Sequence, residues 1–401
     1  MIARADAVVI GGGIMGASTA HFLTGLGVDE VALIEKRKIC GGSTQYSAAH
    51  VRQHYSNEVG IRLAVRGAAM FNNAEEELGG PAGFHQIGYM LFAPPSEAQA
   101  LRDIVAMQQG FGVETSTLEP DEVVSRWPQL QLEGVGLACH EPTSGFADPV
   151  LTVQSLVRSA QHDGLHVYEG TEVLGISTAN GRVTGVVTGD GEIATGVVVN
   201  ACGPWGDRIG RMVGVDYPVT FSREHEAIFD APELQTADGF QDYPVISDVP
   251  QCFYTRPFVG GRILVGEGWP KALEPVDPET YDDGTDEAHL QGMVPKLLNR
   301  IPSLAASVGQ PGYGGTYVTG YSGVYDITED WYPIVGEEEV GGYYSCFGGS
   351  GHGFKIGPAI GESLAATIAG QAPPIDISSL SGARFSEGRT FSSVWGQGNR
   401  A

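Results

Sequence analysis

The stretch Ala7-Val8-Val9-Ile10-Gly11-Gly12-Gly13-Ile14-Met15-Gly16 decides the fold. Residues 5–10 read as a strand buried on both faces, and the glycines follow without a spacer. Ala17 to Leu26 reads as a helix that stops at Gly27. Val31-Ala32-Leu33-Ile34 is a second buried strand, and it ends in Glu35. Strand, glycine turn, helix and strand make one complete βαβ opening.

In such an opening each glycine has a task. Gly11 allows the tight turn, Gly13 lets a pyrophosphate approach the backbone, and Gly16 lets the helix pack close to the sheet. The helix start offers N–H groups and partial positive charge to phosphate. Glu35 follows Gly16 by nineteen residues, where an acid binds a ribose hydroxyl. A glycine-rich turn without ligand is the bland alternative. It leaves the agreement of strand, helix, second strand and terminal acid unexplained. The motif alone leaves FAD and NAD open.

The bulk properties set limits. A chain of 401 residues exceeds one compact core, so at least two domains are expected. Hydrophobic residues make up 42%, as in an ordinary globular protein. No apolar run approaches the roughly 18 residues of a membrane span. The first strand begins too near Met1 to leave room for a signal peptide, so a cytoplasmic location is expected. The net charge of −25 repels nucleic-acid phosphates and anionic lipid. We read the acidity as a solubility or salt adaptation. A carboxylate ligand would need local Arg or Lys. Cys40, Cys139, Cys202, Cys252 and Cys346 are scattered and form no Cys-x-x-Cys. That argues against a disulfide scaffold, a redox dithiol and a metal site.

Farther along, helices are expected at 60–78, 97–109, 149–162 and 286–299, and a strand at 83–93. Short strands at His166–Glu169 and Glu172–Ser177 lead to turns at Asn180-Gly181 and Gly189-Asp190-Gly191. The buried strand Gly196–Ala201 runs into Cys202-Gly203-Pro204-Trp205, and Pro204 suits a helix start. Region 217–325 changes character, with strand-like runs at 217–229, 252–256 and 262–267 and an acidic stretch at 274–287. The α/β texture then returns: strands at 333–336 and 343–347, and Gly348-Gly349-Ser350-Gly351-His352-Gly353 before a helix from Phe354 to about Ala369. The chain after Gln371 reads as an arm or a disordered end.

Three further stretches carry a resemblance. They are Gly41-Gly42-Ser43-Thr44-Gln45-Tyr46-Ser47-Ala48-Ala49-His50-Val51-Arg52, Asn200-Ala201-Cys202-Gly203-Pro204-Trp205-Gly206-Asp207, and Pro333–Gly336 with Gly348–Glu362. Together they resemble the D-amino-acid oxidase superfamily, in the branch of glycine oxidase, sarcosine oxidase and dimethylglycine dehydrogenase. The matches run in order along nearly the whole chain. The resemblance implies an α/β FAD-binding Rossmann-like domain, discontinuous over 1–80, 146–216 and 326–375. An α+β substrate domain with a mainly antiparallel sheet would span 81–145 and 217–325, and 376–401 would be a C-terminal arm or tail.

The implied cofactor is noncovalent FAD. The implied contacts are Gly11, Gly13, Ile14, Met15, Gly16, Glu35 and Lys36, then Ser43, Thr44, Val173, Gly203 and Trp205. Gly349, Gly351, His352, Gly353, Phe354 and Lys355 complete them. Glycines at 348–353 let backbone N–H groups approach a flat ring, and the helix start would stabilise charge on reduced flavin. Relatives that attach FAD covalently use a histidine after the Gly-Ser-Thr-type segment or a late cysteine. Here Gln45-Tyr46-Ser47 and Gly315-Thr316-Tyr317 offer neither, and His50 is offset.

For the substrate, the resemblance points to Arg52, Tyr254 and Lys355. An Arg fork grips a carboxylate with two bonds. Lys355 is one of only five lysines, and a cation at a helix N-terminus needs an anionic partner. A surface ion pair, a core tyrosine and a snorkelling lysine are the plain alternatives. Arg256, His225 and Glu224 are weaker candidates for selectivity, with strand-exposed charge as the plainer reading. The implied reaction oxidises the C–N bond of a small amine, a secondary or N-methyl amino acid. Hydride passes to flavin N5 and water hydrolyses the imine, with no dedicated general base assigned. Alternatives are a primary or cyclic amino acid (glycine, a D-amino acid, proline) and a flavin-bearing subunit of a larger complex. An NAD enzyme leaves Gly348–Lys355 unexplained. Leu264 stands where monomeric sarcosine oxidases carry an oxygen-activating lysine, so oxygen or another acceptor takes the electrons. The oligomeric state is left open.

Overall fold

A computed structural model describes residues 1–234, 243–308 and 317–392. The opening folds as expected: strand Ala7–Ile10, helix Ile14–Gly25 and strand Val31–Ile34. These strands sit inside a six-stranded sheet in the order 334–337, 343–347, 198–200, 7–10, 31–34, 166–168. All its pairings are parallel except that of the edge strand Ile334–Glu337.

Both faces of this sheet are covered, which explains its unbroken apolar runs. Ala7 and Val9 face a core with helices Ile14–Gly25, Glu58–Asn72, Pro149–His162 and Gly353–Ile368. Val8 and Ile10 face the other way, against Val173, Ile176, Val183, Val186 and Ile193 of a three-stranded antiparallel meander. The turn at Asn180-Gly181 joins two of its strands, with φ of 52° and 74°.

The second sheet has eight strands in the order 317–328, 219–230, 262–267, 253–258, 245–248, 89–93, 137–141, 116–118. Only the pairing of Val245–Asp248 with Tyr89–Ala93 is parallel. The fold class is therefore an α/β Rossmann-like layer beside an α+β layer with a mainly antiparallel sheet. Helix Glu287–Arg300 packs its Leu290, Met293, Val294 and Leu297 on this sheet.

Several elements depart from expectation. Only Tyr89–Ala93 of the 83–93 stretch is a regular strand. The twelve-residue strand Tyr317–Thr328 was not anticipated, because Gly320 and Gly323 dilute its pattern. Packing explains both glycines: a Cβ at Gly320 would meet Thr285 Oγ1 at 2.4 Å, and one at Gly323 would meet Tyr46 Cβ at 2.9 Å. Residues 315 and 316, weighed above for covalent attachment, lie outside the described residues, as do 393–401. Beyond 375 the chain buries Ile377, Leu380 and Arg384, and Phe391 packs partly against the body. Arg384 is fully buried and pairs with Asp330 at 2.7 Å. Among the described residues no helix is long and apolar enough to cross a membrane.

Candidate flavin cleft and adjoining pocket

The glycine turn is tight. A Cβ at Gly11 would lie 2.4 Å from the Ala201 carbonyl, and one at Gly16 would lie 1.9 Å from the Gly11 carbonyl. Helix Ile14–Gly25 starts at Gly13 with no side-chain cap and no acidic residue in its first turn. Apart from Ile14 N, which bonds Thr44, its first turn lies along a cleft of about 320 Å³. Helix Gly353–Ile368 begins in the same way on that cleft, with Gly353 beside Met15.

Glu35 closes the ribose end. Its Oε2 accepts from Gly12 N at 2.8 Å and its Oε1 from Arg37 N at 2.7 Å. A carboxylate so anchored keeps lone pairs for a diol. Lys36 is engaged in ion pairs with Glu172 and Glu279, both at 3.0 Å. Thr44 Oγ1 accepts from Ile14 N at 3.2 Å, and Ser43 Oγ donates to the Val324 carbonyl at 2.7 Å. Trp205 lies under the Arg37 guanidinium, 5.2 Å from its ring centre.

The second glycine loop is fixed by Asp326, whose Oδ2 accepts from Gly348 N at 2.6 Å. Burial pushes the Asp326 carboxyl up to about 6, against the backbone N–H groups that favour its charge. Gly351 needs to be glycine on two counts: its φ is +79°, and a Cβ would lie 2.1 Å from the Tyr325 ring.

The sequence-assigned cofactor residues separate cleanly. Gly11, Gly13, Ile14, Met15, Glu35, Lys36, Ser43, Thr44, Val173, Gly203, Trp205, Gly349, Gly351, Gly353 and Phe354 line the cleft. Gly16, His352 and Lys355 do not. Gly16 seats the helix on the sheet. His352 Nε2 lies 2.6 Å from the Trp331 carbonyl, which can only accept, so Nε2 carries hydrogen. Nδ1 then accepts from the Tyr55 hydroxyl at 3.0 Å.

Lys355 belongs to a second pocket of about 100 Å³ that meets the cleft at Ser47, Tyr325, Gly351 and Phe354. Arg52 and Tyr254 line it too, with His50, His54, Tyr89 and Trp269. The three residues assigned to substrate thus converge from three parts of the chain. Arg52 donates to the His54 carbonyl, and its guanidinium lies 4.9 Å from the Tyr55 ring centre and 5.8 Å from that of Tyr89. Lys355 Nζ donates to the His352 carbonyl at 3.3 Å. Burial and the charge of Arg52 push His54 down to about 3, so it stays neutral beside the cations.

The weaker candidates part company. Arg256 is buried against Phe146 and Phe258 and donates to the Ala48 carbonyl at 2.7 Å; it lines neither cavity. His225 pairs with Glu274 at 3.1 Å and stacks on His289. Ligand atoms of His225, Glu274 and Asp286 come within 4.8 Å of one another, but the Arg223 guanidinium already bridges both carboxylates. Glu224 does line the cleft, paired with the buried Lys271. Sequence reasoning missed Glu226 and Lys271. The i, i+2 spacing of Glu224 and Glu226 was a legible signal that both share one face of a strand.

Two uncapped helix starts, a ribose acid and two glycine loops fit a flavin dinucleotide along one cleft. The DAO model, described as FAD dependent oxidoreductase, matches residues 6–367. The chain belongs to this FAD dependent oxidoreductase family. As a DAO-family protein it takes FAD as its cofactor. It is 29% identical to mitochondrial sarcosine dehydrogenase from Mus musculus, over 98% of this chain and 42% of that protein. It is 26% identical to 4-methylaminobutanoate oxidase (formaldehyde-forming) from Paenarthrobacter nicotinovorans, over 94% of this chain and 45% of that one. The chain thus spans less than half the length of these curated relatives. Among solved structures, L-proline dehydrogenase from P. horikoshii superposes with a TM-score of 0.87 at 29% identity. That match covers 98% of this chain and 100% of the other.

Proposed function

We propose that this DAO-family chain oxidises the C–N bond of a small amine, a secondary or N-methyl amino acid. The observation that carries the reading is the convergence of Arg52 and Lys355 on the small pocket that opens into the flavin cleft. In a protein of net charge −25, two cations lining one pocket are a specific arrangement for an anion. A carboxylate held there leaves the rest of the molecule reaching toward the cleft. Tyr254, His50 and Trp269 wall the pocket. Their rings confine the substrate and exclude water, so orientation is the protein's main contribution. The chemistry FAD supplies when bound is acceptance of a hydride from the carbon beside nitrogen, leaving an imine for water to hydrolyse.

A cyclic substrate such as proline is the second reading. The end-to-end match with L-proline dehydrogenase favours it, whereas the sarcosine dehydrogenase match covers only part of that longer protein. The partial coverage also leaves room for a flavin-bearing subunit whose partner handles electrons. Anaerobic titration with sarcosine, dimethylglycine, glycine, proline and longer N-methyl amino acids tests all three. Bleaching of the flavin absorbance by one compound names the substrate class, and admitting air then separates oxygen from another acceptor. A flavin reducible by dithionite but by none of these amines would overturn the reading.

A further inference from the structure

Strand Val219–Asp230 places Glu224 and Glu226 on one face, and both line the flavin cleft. Glu226 is 4% exposed. Its Oε1 accepts from the Tyr254 hydroxyl at 2.6 Å. Its Oε2 has no hydrogen-bond partner among the described residues. A buried carboxyl oxygen left open is costly unless a ligand completes it.

Gly266 makes the pairing with Tyr254 achievable. In register it stands between the two residues, opposite Glu226 on one side and Tyr254 on the other. A Cβ there would lie 2.3 Å from the Tyr254 hydroxyl oxygen. The absent side chain is the gap through which the phenol crosses to the carboxyl. Tyr254 lines the small pocket and Glu226 the cleft, so their hydrogen bond joins the two cavities.

Arg52 and Lys355 answer the carboxylate of an amino acid but not its ammonium. An ammonium cannot be oxidised to an imine, because the nitrogen lone pair must form the new bond. An amine that enters as the ammonium must first lose a proton, and a base beside the nitrogen can take it. We propose that Glu226, steered by Tyr254, faces the substrate nitrogen and takes that proton; the inference rests on the amine-oxidising reading above. In this step a substrate N–H bond breaks, its electron pair stays on nitrogen, and the proton forms an O–H bond at Glu226 Oε2. No electrons leave the substrate until the later hydride transfer. The reading from sequence assigned no such base.

The groups around Glu226 define its titration. They are Tyr254 and Arg256 from strand Phe253–Phe258, Glu224 on its own strand, Lys271, and Tyr321 from strand Tyr317–Thr328, with Tyr325 acting on Tyr254. Burial raises Glu226 to about 8, and Glu224 adds to the rise. The Tyr254 hydrogen bond and the charges of Arg256 and Lys271 oppose it. The ionised form, which accepts the proton, grows as pH rises through about 8. A base poised near the working pH is the effective kind.

The test is the pH profile of anaerobic flavin reduction by the best amine. Wild type should gain rate as pH rises through about 8. Glu226→Gln should lose roughly a hundredfold in rate and flatten that limb. Glu226→Asp should retain the limb, and Tyr254→Phe should move it to higher pH. A second readout needs no turnover: the carboxylic-acid C=O band of glutamate-labelled protein in infrared difference spectra. It should titrate near pH 8 in wild type and vanish in Glu226→Gln. Normal reduction of Glu226→Gln with an unchanged profile overturns the inference and leaves the amine-oxidising reading intact. So does the absence of a titrating band. If Glu226→Gln fails to fold, a limb that Tyr254→Phe leaves unshifted overturns it equally. A wild-type flavin that no amine reduces overturns both.

Discussion

Arg52 and Lys355 share one aromatic ring. The guanidinium lies 4.9 Å and the ammonium 5.9 Å from the centre of Tyr55. Tyr55 is fully buried, and its hydroxyl is held by His352. The negative face of a ring steadies nearby cations that would otherwise repel. Tyr55 therefore helps two positive charges stand at one pocket.

Removing either cation should weaken carboxylate binding. Charge-assisted hydrogen bonds contribute about 1.5–3 kcal/mol, so Arg52→Met or Lys355→Met should raise the Kd of a simple carboxylate by about 10- to 100-fold. Arg52→Lys should recover little, because the planar fork is lost. Perturbation of the flavin spectrum by acetate measures this. An unchanged Kd in both variants would remove the pocket from consideration as the carboxylate site.

The glycine turn makes a graded prediction. Gly16→Ala sets a methyl group 1.9 Å from backbone, which cannot move aside cheaply, so the protein should lose FAD and melt lower. Gly25→Ala in the same helix meets nothing within 4 Å and should keep FAD, with a gain of up to about 1 kcal/mol from helix propensity. Flavin content and melting temperature of the two variants give the comparison. Equal FAD retention in both would contradict the close packing.

FAD should be noncovalent. Among the described residues no histidine lines the larger cleft, and its cysteines are Cys202 and Cys346. Burial pushes both thiols up, Cys346 to about 12, so neither forms a nucleophilic thiolate near neutral pH. Cys202 Sγ also lies 3.2 Å from the Ile10 carbonyl. Acid precipitation should leave a colourless pellet under a yellow supernatant; a yellow pellet would refute this.

What could be read from sequence was whatever local pattern determines. The turn from Gly11 to Gly16 and the acid at Glu35 are contiguous signals, and the structure sets nearly all the assigned cofactor residues around one cleft. The strand Tyr317–Thr328 was hidden because its glycines answer to Thr285 and Tyr46, distant in sequence. Glu226 was hidden for a related reason. Its character comes from Tyr254 crossing over Gly266, a relationship that exists only once three strands are in register. The serine-, proline- and glycine-rich composition after Gln371 reads as an arm or a disordered end, and one arginine docks its described part. Composition cannot reveal a single buried ion pair.

That ion pair leads to the last prediction. Arg384 and Asp330 are both essentially unexposed and bonded through two nitrogens, at 2.7 and 2.9 Å. Arg384 also donates to the Tyr332 carbonyl at 2.7 Å, and the Asp330 carboxylate accepts from Phe391 N and Tyr332 N. The segment it fixes reaches the pocket, since the Trp331 carbonyl accepts from His352, which orients Tyr55. Burial alone would raise the Asp330 carboxyl. The hydrogen bonds and charge of Arg384, with the two backbone N–H groups, outweigh burial and hold it below its ordinary value. A depressed carboxyl stabilises the fold above its unfolded pKa of about 3.9, and that contribution is lost as pH falls through the folded value. Arg384→Met should cost about 3–5 kcal/mol at neutral pH, because it leaves a buried carboxylate unpaired. Asp330→Asn should also lower the melting temperature. Its deficit against wild type should be full above about pH 4 and shrink in stronger acid. Thermal melts of both variants across that range decide the matter. A deficit that stays constant down to strong acid would show that the pair contributes shape rather than charge.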